Sequence, residues 1–433
     1  MEYVELKTTT LNPNSKSRVL FASLVGTTIE FFDFYIYATA AVLVFPHLFF
    51  PESSGGAALL QSLATFSIAF VARPIGAVIF GHLGDRIGRK ATLVTALLLM
   101  GISTVCIGLL PTYAQIGVAA PILLALCRLG QGLGLSGEWS GAVLFATENA
   151  PKGKRAWYGM FPQLGSPIGF ILAASAFLLL GAFLSNEEFM AWGWRIPFIA
   201  SALLVFVGLY IRLKLHESPA FQNVLNQQSA SKAPFKDVVS KHAMKVVLGT
   251  LATVCTLVVF YLMTVFALNW GTNVLGYSRD EFLKMQMVAT LCFGLCIPLS
   301  AMMAEKFGRK RTSIVICILT IIFGLFFSTF FVAQNELSVL IFLCLGLSIM
   351  GLTYGPLGTI LSEIFPVSVR YTGSALAYNF GSILGASFAP LIATQLAQTY
   401  GLYAVGYYLC VAACVSLLAF ACIRETKNDD IMC

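Results

Sequence analysis

Five ionisable side chains stand inside long apolar stretches of this 433-residue chain: Glu30, Asp33, Arg73, Arg128 and Glu138. In a lipid-embedded helix each would cost about 2.5–3.5 kcal/mol at mid-span, so such residues mark function or pairing. Glu30 and Asp33 are three residues apart and share one helix face. Two neighbouring carboxylates in a low dielectric cannot both ionise cheaply, which suits one of them to taking up and releasing a proton. Arg73 and Arg128 are permanent planar cations suited to bidentate contact with a carboxylate. Three carboxylates against two guanidiniums leave one negative charge in excess. One protonation makes the set neutral, and a small organic acid, or a zwitterion bearing a carboxylate, then fits beside an arginine. The bland alternative is a set of ion pairs that merely holds helices together. Arg128 and Glu138 lie ten residues apart, about 15 Å along one helix, which argues against their pairing directly. All five lie in the first half of the chain, a bias that a structural need would not produce. Glu30, Asp33, Arg128 and Glu138 are therefore the candidates for proton coupling, and Arg73 and Arg128 for holding an anion.

Polar and aromatic side chains within apolar stretches extend this set. Tyr35, Gln131, Trp139 and Gln163 in the first half, and Tyr261, Gln286, Tyr354, Tyr378 and Asn379 in the second, each need a partner. They either line a central cavity or bond a neighbouring helix. Trp192 and Trp194 are expected as anchors at the outer membrane interface. Gly132-Leu-Gly134-Leu-Ser-Gly137 matches a dinucleotide-binding pattern, but no strand precedes it, and its glycines read as close helix contacts. The histidines form no metal cluster. Of eleven cysteines all but Cys433 sit in apolar stretches as small hydrophobes, so no disulfide, metal site or cofactor is expected. Nor does any soluble catalytic segment point to an enzyme.

The elements that position these residues follow from composition. The chain is 58% hydrophobic and only 11% charged, with a mean hydropathy of +0.83. These values exclude a soluble globular domain, a disordered chain and a small disulfide scaffold. Twelve apolar runs fall near 19–46, 58–82, 91–110, 116–147, 157–184, 195–213, 244–269, 282–304, 312–333, 337–361, 371–398 and 402–423. Each is long enough to span a bilayer, and backbone satisfaction within lipid demands helices. An even number of spans puts both termini on one side. Of the Lys and Arg residues, only Arg195, Arg279 and Lys284 then fall in loops on the opposite side. That bias makes the terminal side cytoplasmic. It also explains the formal net charge of +7 without nucleic acid. The expected division is a cytoplasmic segment 1–18, a first six-helix bundle 19–216, a linker 217–242, a second bundle 243–424 and a tail 425–433.

The halves repeat. Gly84-Asp85-Arg86-Ile87-Gly88-Arg89-Lys90 after the second run matches Ala304-Glu305-Lys306-Phe307-Gly308-Arg309-Lys310 after the eighth. Glu148-x-x-Pro151-x-x-x-Arg155 after the fourth matches Glu363-x-x-Pro366-x-x-x-Arg370 after the tenth. Parallel repeats of this kind mark an all-α transporter of two pseudo-symmetric six-helix bundles.

Gly81-x-x-x-Asp85-Arg86-x-Gly88-Arg89-Lys90 resembles the loop signature of the major facilitator superfamily, and Arg128-x-x-Gln131-Gly132 resembles its span-four signature. Thr28-Ile-Glu30-Phe-Phe-Asp33-Phe-Tyr35, Arg73-Pro-Ile-Gly76, Gly137-Glu138-Trp139 and Leu215-His-Glu217-Ser-Pro219 resemble the metabolite:proton symporter family over nearly the whole chain. Glu305 and Ala301 depart from the second loop signature. The resemblance implies proton-coupled uptake of a small organic acid or zwitterion across the bacterial inner membrane, by alternating access. Export by proton exchange and a non-transporting sensor of the same fold stay open as alternatives. It also implies a cytoplasmic latch built from Gly81, Asp85, Arg86, Gly88 and Arg89. By symmetry this latch extends to Glu148, Arg155, Glu305, Arg309, Glu363 and Arg370, with Arg89 paired to Glu148 and Arg309 to Glu363. A monomer suffices, because each chain encloses its own pathway.

Overall fold

The computed structural model describes residues 15–51, 55–226, 231–332 and 335–429. Among these there is no strand. The membrane-crossing helices are α1 (Lys16–Leu43), α2 (Gly55–Arg86), α3 (Arg89–Leu109), α4 (Ala119–Glu148), α5 (Arg155–Phe183) and α6 (Ile196–Leu213). The second half supplies α7 (Ala243–Asn273), α8 (Arg279–Phe307), α9 (Arg309–Leu325), α10 (Glu336–Glu363), α11 (Val367–Tyr400) and α12 (Leu402–Cys422). Eleven of them are long and apolar enough to cross a bilayer on length and composition alone. The other, α9, has 17 residues and breaks at Phe326 before one more turn, Phe327–Phe330. Together they form two pseudo-symmetric six-helix bundles.

Each helix satisfies its own backbone, so packing can proceed through small residues. Gly165 and Gly169 of α5 lie against the backbone of α1 at Thr27–Thr28 and Phe31–Phe32. Gly76 of α2 meets Leu133 and Ser136 of α4, and Gly351 and Gly355 of α10 meet α8 in the equivalent place. Between the bundles α2 runs along α11, and α8 along α5. The tight turns after α2 and α8 rest on Gly88 and Gly308, with φ of 125° and 99°. A side chain at either position would be strained.

Three features depart from the sequence reading. The 217–242 segment, expected as a plain linker, carries two short helices, Pro219–Asn226 and Pro234–Lys241. Phe221 and Val224 of the first are buried, as is Val238 of the second, so two-faced helices rather than a loop make up this segment. Helices α7 and α11 each contain a π turn, at Leu262–Phe266 and Ile383–Ser387. Trp194 is no interface anchor: it is fully buried among Phe45, Phe49 and Phe198, while Trp192 is exposed.

Candidate functional site

Helix α1 brings Glu30 and Asp33 into the protein interior, both almost fully buried. Asp33 is held from two sides. Its Oδ1 accepts from Ser201 Oγ of α6 at 2.6 Å, and its Oδ2 from Thr104 Oγ1 of α3 at 2.8 Å. Gln131 Nε2 donates to the same Thr104 hydroxyl at 2.8 Å, and Arg128 Nη1 donates to Gln131 Oε1 at 3.0 Å. Arg128 thus reaches Asp33 through two intervening side chains, not through a direct ion pair. Glu30 differs, because its Oε2 is buried with no hydrogen-bond partner. Arg73, the Glu138–Arg212 pair, Tyr354 and Tyr378 lie within electrostatic range of it.

The two arginines share an aromatic ring. The Phe34 ring lies 5.6 Å from the Arg73 guanidinium and 5.5 Å from that of Arg128. Phe70 packs under Arg73 at 5.0 Å, and Tyr37 and Phe66 under Arg128 at 4.0 and 4.8 Å. Ring faces stabilise a cation by a fraction of what a carboxylate supplies. Arg73 Nε and Arg128 Nε and Nη2 are buried without hydrogen-bond partners. Among the described residues neither arginine has a carboxylate within 4.0 Å.

Glu138 is placed differently. Arg212, in the last turn of α6, reaches back and grips both its oxygens, with Nη1 to Oε2 at 2.6 Å and Nη2 to Oε1. Arg212 Nη1 also donates to Leu93 O at 2.8 Å. Gly26 of α1 makes room for the pair, since a Cβ there would collide with Arg212 Nη2. Sequence reading missed Arg212 by counting it with the charges of the inner loop. The available signal was Glu138 itself, which at mid-span required a cation.

The seam between bundles is aromatic and closed. Trp139 of α4 stacks on Tyr378 of α11 with centroids 3.7 Å apart and planes at 17°. Trp139 Nε1 donates to Gln163 Oε1 at 2.8 Å, and Gln163 Nε2 donates to Tyr354 O at 2.9 Å. The Tyr354 hydroxyl is buried without a partner. Tyr261 meets Phe70 across the seam at 6.1 Å, and the Tyr35 hydroxyl meets Ser166 Oγ at 3.3 Å. Two other candidates are engaged with backbone. Gln286 Nε2 donates to the carbonyls of Met263 and Thr264, both at 2.9 Å, inside the π turn of α7. Asn379 donates to Ala375 O of its own helix at 2.8 Å. A cavity of about 510 Å³ lies where the segment after α1 meets α2, lined in part by Phe49, Phe50, Gln61, Thr65, Tyr113 and Pro121. Thr65 of its wall meets the Tyr37 hydroxyl at 2.7 Å.

The ends of the spans beside the turns at Gly88 and Gly308 carry two matching charge clusters. Arg89 contacts Glu148 through two bonds of 3.3 Å, and Arg370 of the other bundle joins Glu148 at 3.4 Å. Arg309 contacts Glu363 through two bonds of 3.2 Å, and Arg155 of the first bundle joins Glu363 at 3.0 Å. Asp85 accepts the backbone amides of Tyr371 and Thr372 at 3.1 and 2.9 Å, at the start of α11. Glu305 likewise accepts those of Ala156 and Trp157 at the start of α5. These orphan helix-start amides favour an anion. Gly81 and Gly84 let α11 approach: a Cβ on Gly81 would sit 2.8 Å from Thr372 Cα, and one on Gly84 would enter the Tyr371 ring. Arg86 stands apart, exposed beside His82. A further matching pair escaped the sequence reading. Glu217 accepts the amide of Lys90 at 3.2 Å, and Glu425 those of Arg309 and Lys310 at 2.9 and 3.1 Å. Burial pushes the Glu217 carboxyl above the usual range, against the opposing pull of the Ser218 amide, Arg89 and the Lys90 amide.

Residues 19–432 match the family described as Sugar (and other) transporter. The chain belongs to that family. It is 56% identical over 423 residues to the inner membrane metabolite transport protein YhjE of Escherichia coli K12, covering 96% of each chain. It is 33% identical over 427 residues to the shikimate transporter of the same organism, covering 97% of each. The structure of the major facilitator proton:xylose symporter XylE bound to 6-bromo-6-deoxy-D-glucose superposes with a TM-score of 0.77, at 18% identity, covering 96% of this chain and 98% of that one. The protein is thus a multi-pass membrane transporter of metabolites, of the major facilitator fold, and not an enzyme.

Proposed function

We propose that this transporter takes up a small organic acid together with a proton across the bacterial cytoplasmic membrane, as a monomer with both termini inside. The observation that carries the reading is the pair Arg73 and Arg128, two interior guanidiniums on one phenylalanine ring with open donors and no carboxylate in contact. Such cations are costly unless an anion visits them. The shikimate transporter among the relatives is named for a carboxylate, which is in keeping with this chemistry.

The cycle follows from the placement of charge. With the cytoplasmic clusters closed, substrate and proton enter from outside. The substrate carboxylate docks on Arg73 and Arg128, and the Glu30/Asp33 pair takes the proton. Trp139, Tyr378 and Tyr354 cover the remainder of the substrate from the bundle seam. Rocking of the bundles then breaks the Asp85 and Glu305 contacts and releases both cargoes inside. Reconstituted liposomes with an alkaline interior should accumulate labelled organic acid, with alkalinisation of the medium on substrate addition. Binding without counterflow would support the sensor reading, and medium acidification would support export; either result overturns the proposal.

A further inference from the structure

Among the described residues, the ionisable groups well inside the spans are Glu30, Asp33 and Glu138 against Arg73, Arg128 and Arg212, and the second bundle adds no Asp, Glu, Lys or Arg. Glu138 and Arg212 cancel each other through two bonds, walled in by Gly26 and the Leu93 carbonyl. What remains to exchange is two carboxylates and two guanidiniums. Arg73 lies in the field of Glu30, and Arg128 is wired to Asp33 through Gln131 and Thr104. The groups facing Glu30 from its neighbours are Arg73 of α2, Glu138 of α4, Arg212 of α6, Tyr354 of α10 and Tyr378 of α11.

During alternating access this chamber must close on both sides, and a closed chamber of low dielectric penalises any net charge. The empty chamber, with both remaining carboxylates ionised, is neutral and can return. One proton on the Glu30/Asp33 pair leaves a single positive charge, which one carboxylate of the substrate cancels. A proton alone leaves the chamber positive, and a singly charged anion alone leaves it negative, so neither crosses unaccompanied. A zwitterion with one proton leaves it positive, and a dianion with one proton leaves it negative. We propose that the protein carries one proton with one singly charged carboxylate, electroneutral on both legs of the cycle, because the Glu138–Arg212 pair removes itself from the count. This rests on the reading of Arg73 and Arg128 as the anion site. The balance closes: one proton and one carboxylate enter from outside, the same two leave inside, and no charge moves.

The test uses the full chain in liposomes, with shikimate as singly charged probe, 2-oxoglutarate as dianion, and proline and betaine as zwitterions. A proton gradient of one pH unit, alkaline inside, should concentrate shikimate about tenfold, as one proton per substrate requires. A potassium–valinomycin potential of 100 mV should add nothing, whereas one uncompensated charge would add about 50-fold. Currents on a solid-supported membrane should be absent for shikimate. Accumulation driven by potential, or proton-coupled accumulation of proline or betaine with current, overturns electroneutrality while leaving proton-coupled uptake intact. Indifference of every probe to the pH gradient overturns the proposed function itself. A variant separates the charge count from mere structure. Glu138→Gln frees one cation, so the anion alone neutralises the loaded chamber while the empty chamber stays positive and cannot return: exchange of internal for external shikimate should lose its need for a proton, and net accumulation by the pH gradient should be lost. Adding Arg212→Gln restores the count and should return the dependence to the pH gradient, whatever the rate. Net accumulation still following the pH gradient in the single variant overturns the proposal.

Discussion

Single side chains show both what burial demands and where sequence reading stops. Glu30, Asp33, Arg73 and Arg128 were legible because each interrupts a long apolar run, where any charge is conspicuous. Arg212 was not, because it stands at the edge of its run among basic residues that read as topology. Its position in the sequence is at the edge of a span, but its guanidinium is buried in the interior. Removing Arg212 alone, as Arg212→Met, strands the Glu138 carboxylate in the interior. The expected loss is about 3–5 kcal/mol of stability, read as a fall in the thermal midpoint of the purified protein. Combining it with Glu138→Leu should recover most of that loss, since apolar replacements remove the stranded charge. A recovery confined to stability and not to the energetics of uptake would separate the pair's structural and electrostatic parts. For the proton, Glu30→Gln or Asp33→Asn alone, each holding the pair at the single negative charge of its protonated state, should abolish uphill accumulation but spare exchange of internal for external substrate. Loss of both together would count against the pair as the site of exchange.

Elements were legible to the degree that lipid dictates them. Twelve runs became helices because no other backbone arrangement satisfies itself in hydrocarbon. The features missed are those that lipid does not dictate. Pro219–Asn226 and Pro234–Lys241 hide in a polar stretch, since a two-turn helix needs only two or three apolar residues to dock. The π turn of α7 leaves no mark in hydropathy, but its cost is visible in the partner it requires. Gln286 reaches from α8 to the Met263 and Thr264 carbonyls that the irregular turn releases. Gln286→Leu should leave two buried acceptors short of a donor and cost about 1–3 kcal/mol. Comparing thermal midpoints of this variant and Gln286→Glu checks whether the amide donor, and not side-chain volume, is what matters. The third repeat, Glu217 with Glu425, was missed for another reason. Its flanks share only the following hydroxyl, Ser218 and Thr426, which donate to Glu148 and Glu363 respectively.

At the scale of the whole molecule the two charge clusters close one face, and their wiring decides how a mutational test must be designed. Within each bundle Arg89 pairs with Glu148 and Arg309 with Glu363, as the repeats suggested. These contacts do not themselves join the bundles. The joining contacts include Arg370 to Glu148, Arg155 to Glu363, the helix-start amides on Asp85 and Glu305, and a bond from Arg89 Nη2 to Val367 O at 3.0 Å. A charge swap of Arg89 and Glu148 restores the pair inside the first bundle but sets the new arginine at 148 against Arg370. Transport lost in each single variant should therefore stay lost in the swap, and return in part only when Arg370→Glu is added. Weakening the joining contacts should act differently. Asp85→Asn and Glu305→Gln remove the charge that meets the starts of α11 and α5 but leave each bundle intact. Each should shift the resting population toward the inward-facing form, and the two together should do so additively, because the α2–α11 and α5–α8 seams share no side chain. Accessibility of a single cysteine introduced on the cytoplasmic half of the bundle seam reads that population. An unchanged labelling rate in the double variant would mean that apolar packing across the seam, such as Tyr371 lodged against Gly84 and Gly141, closes this face without them.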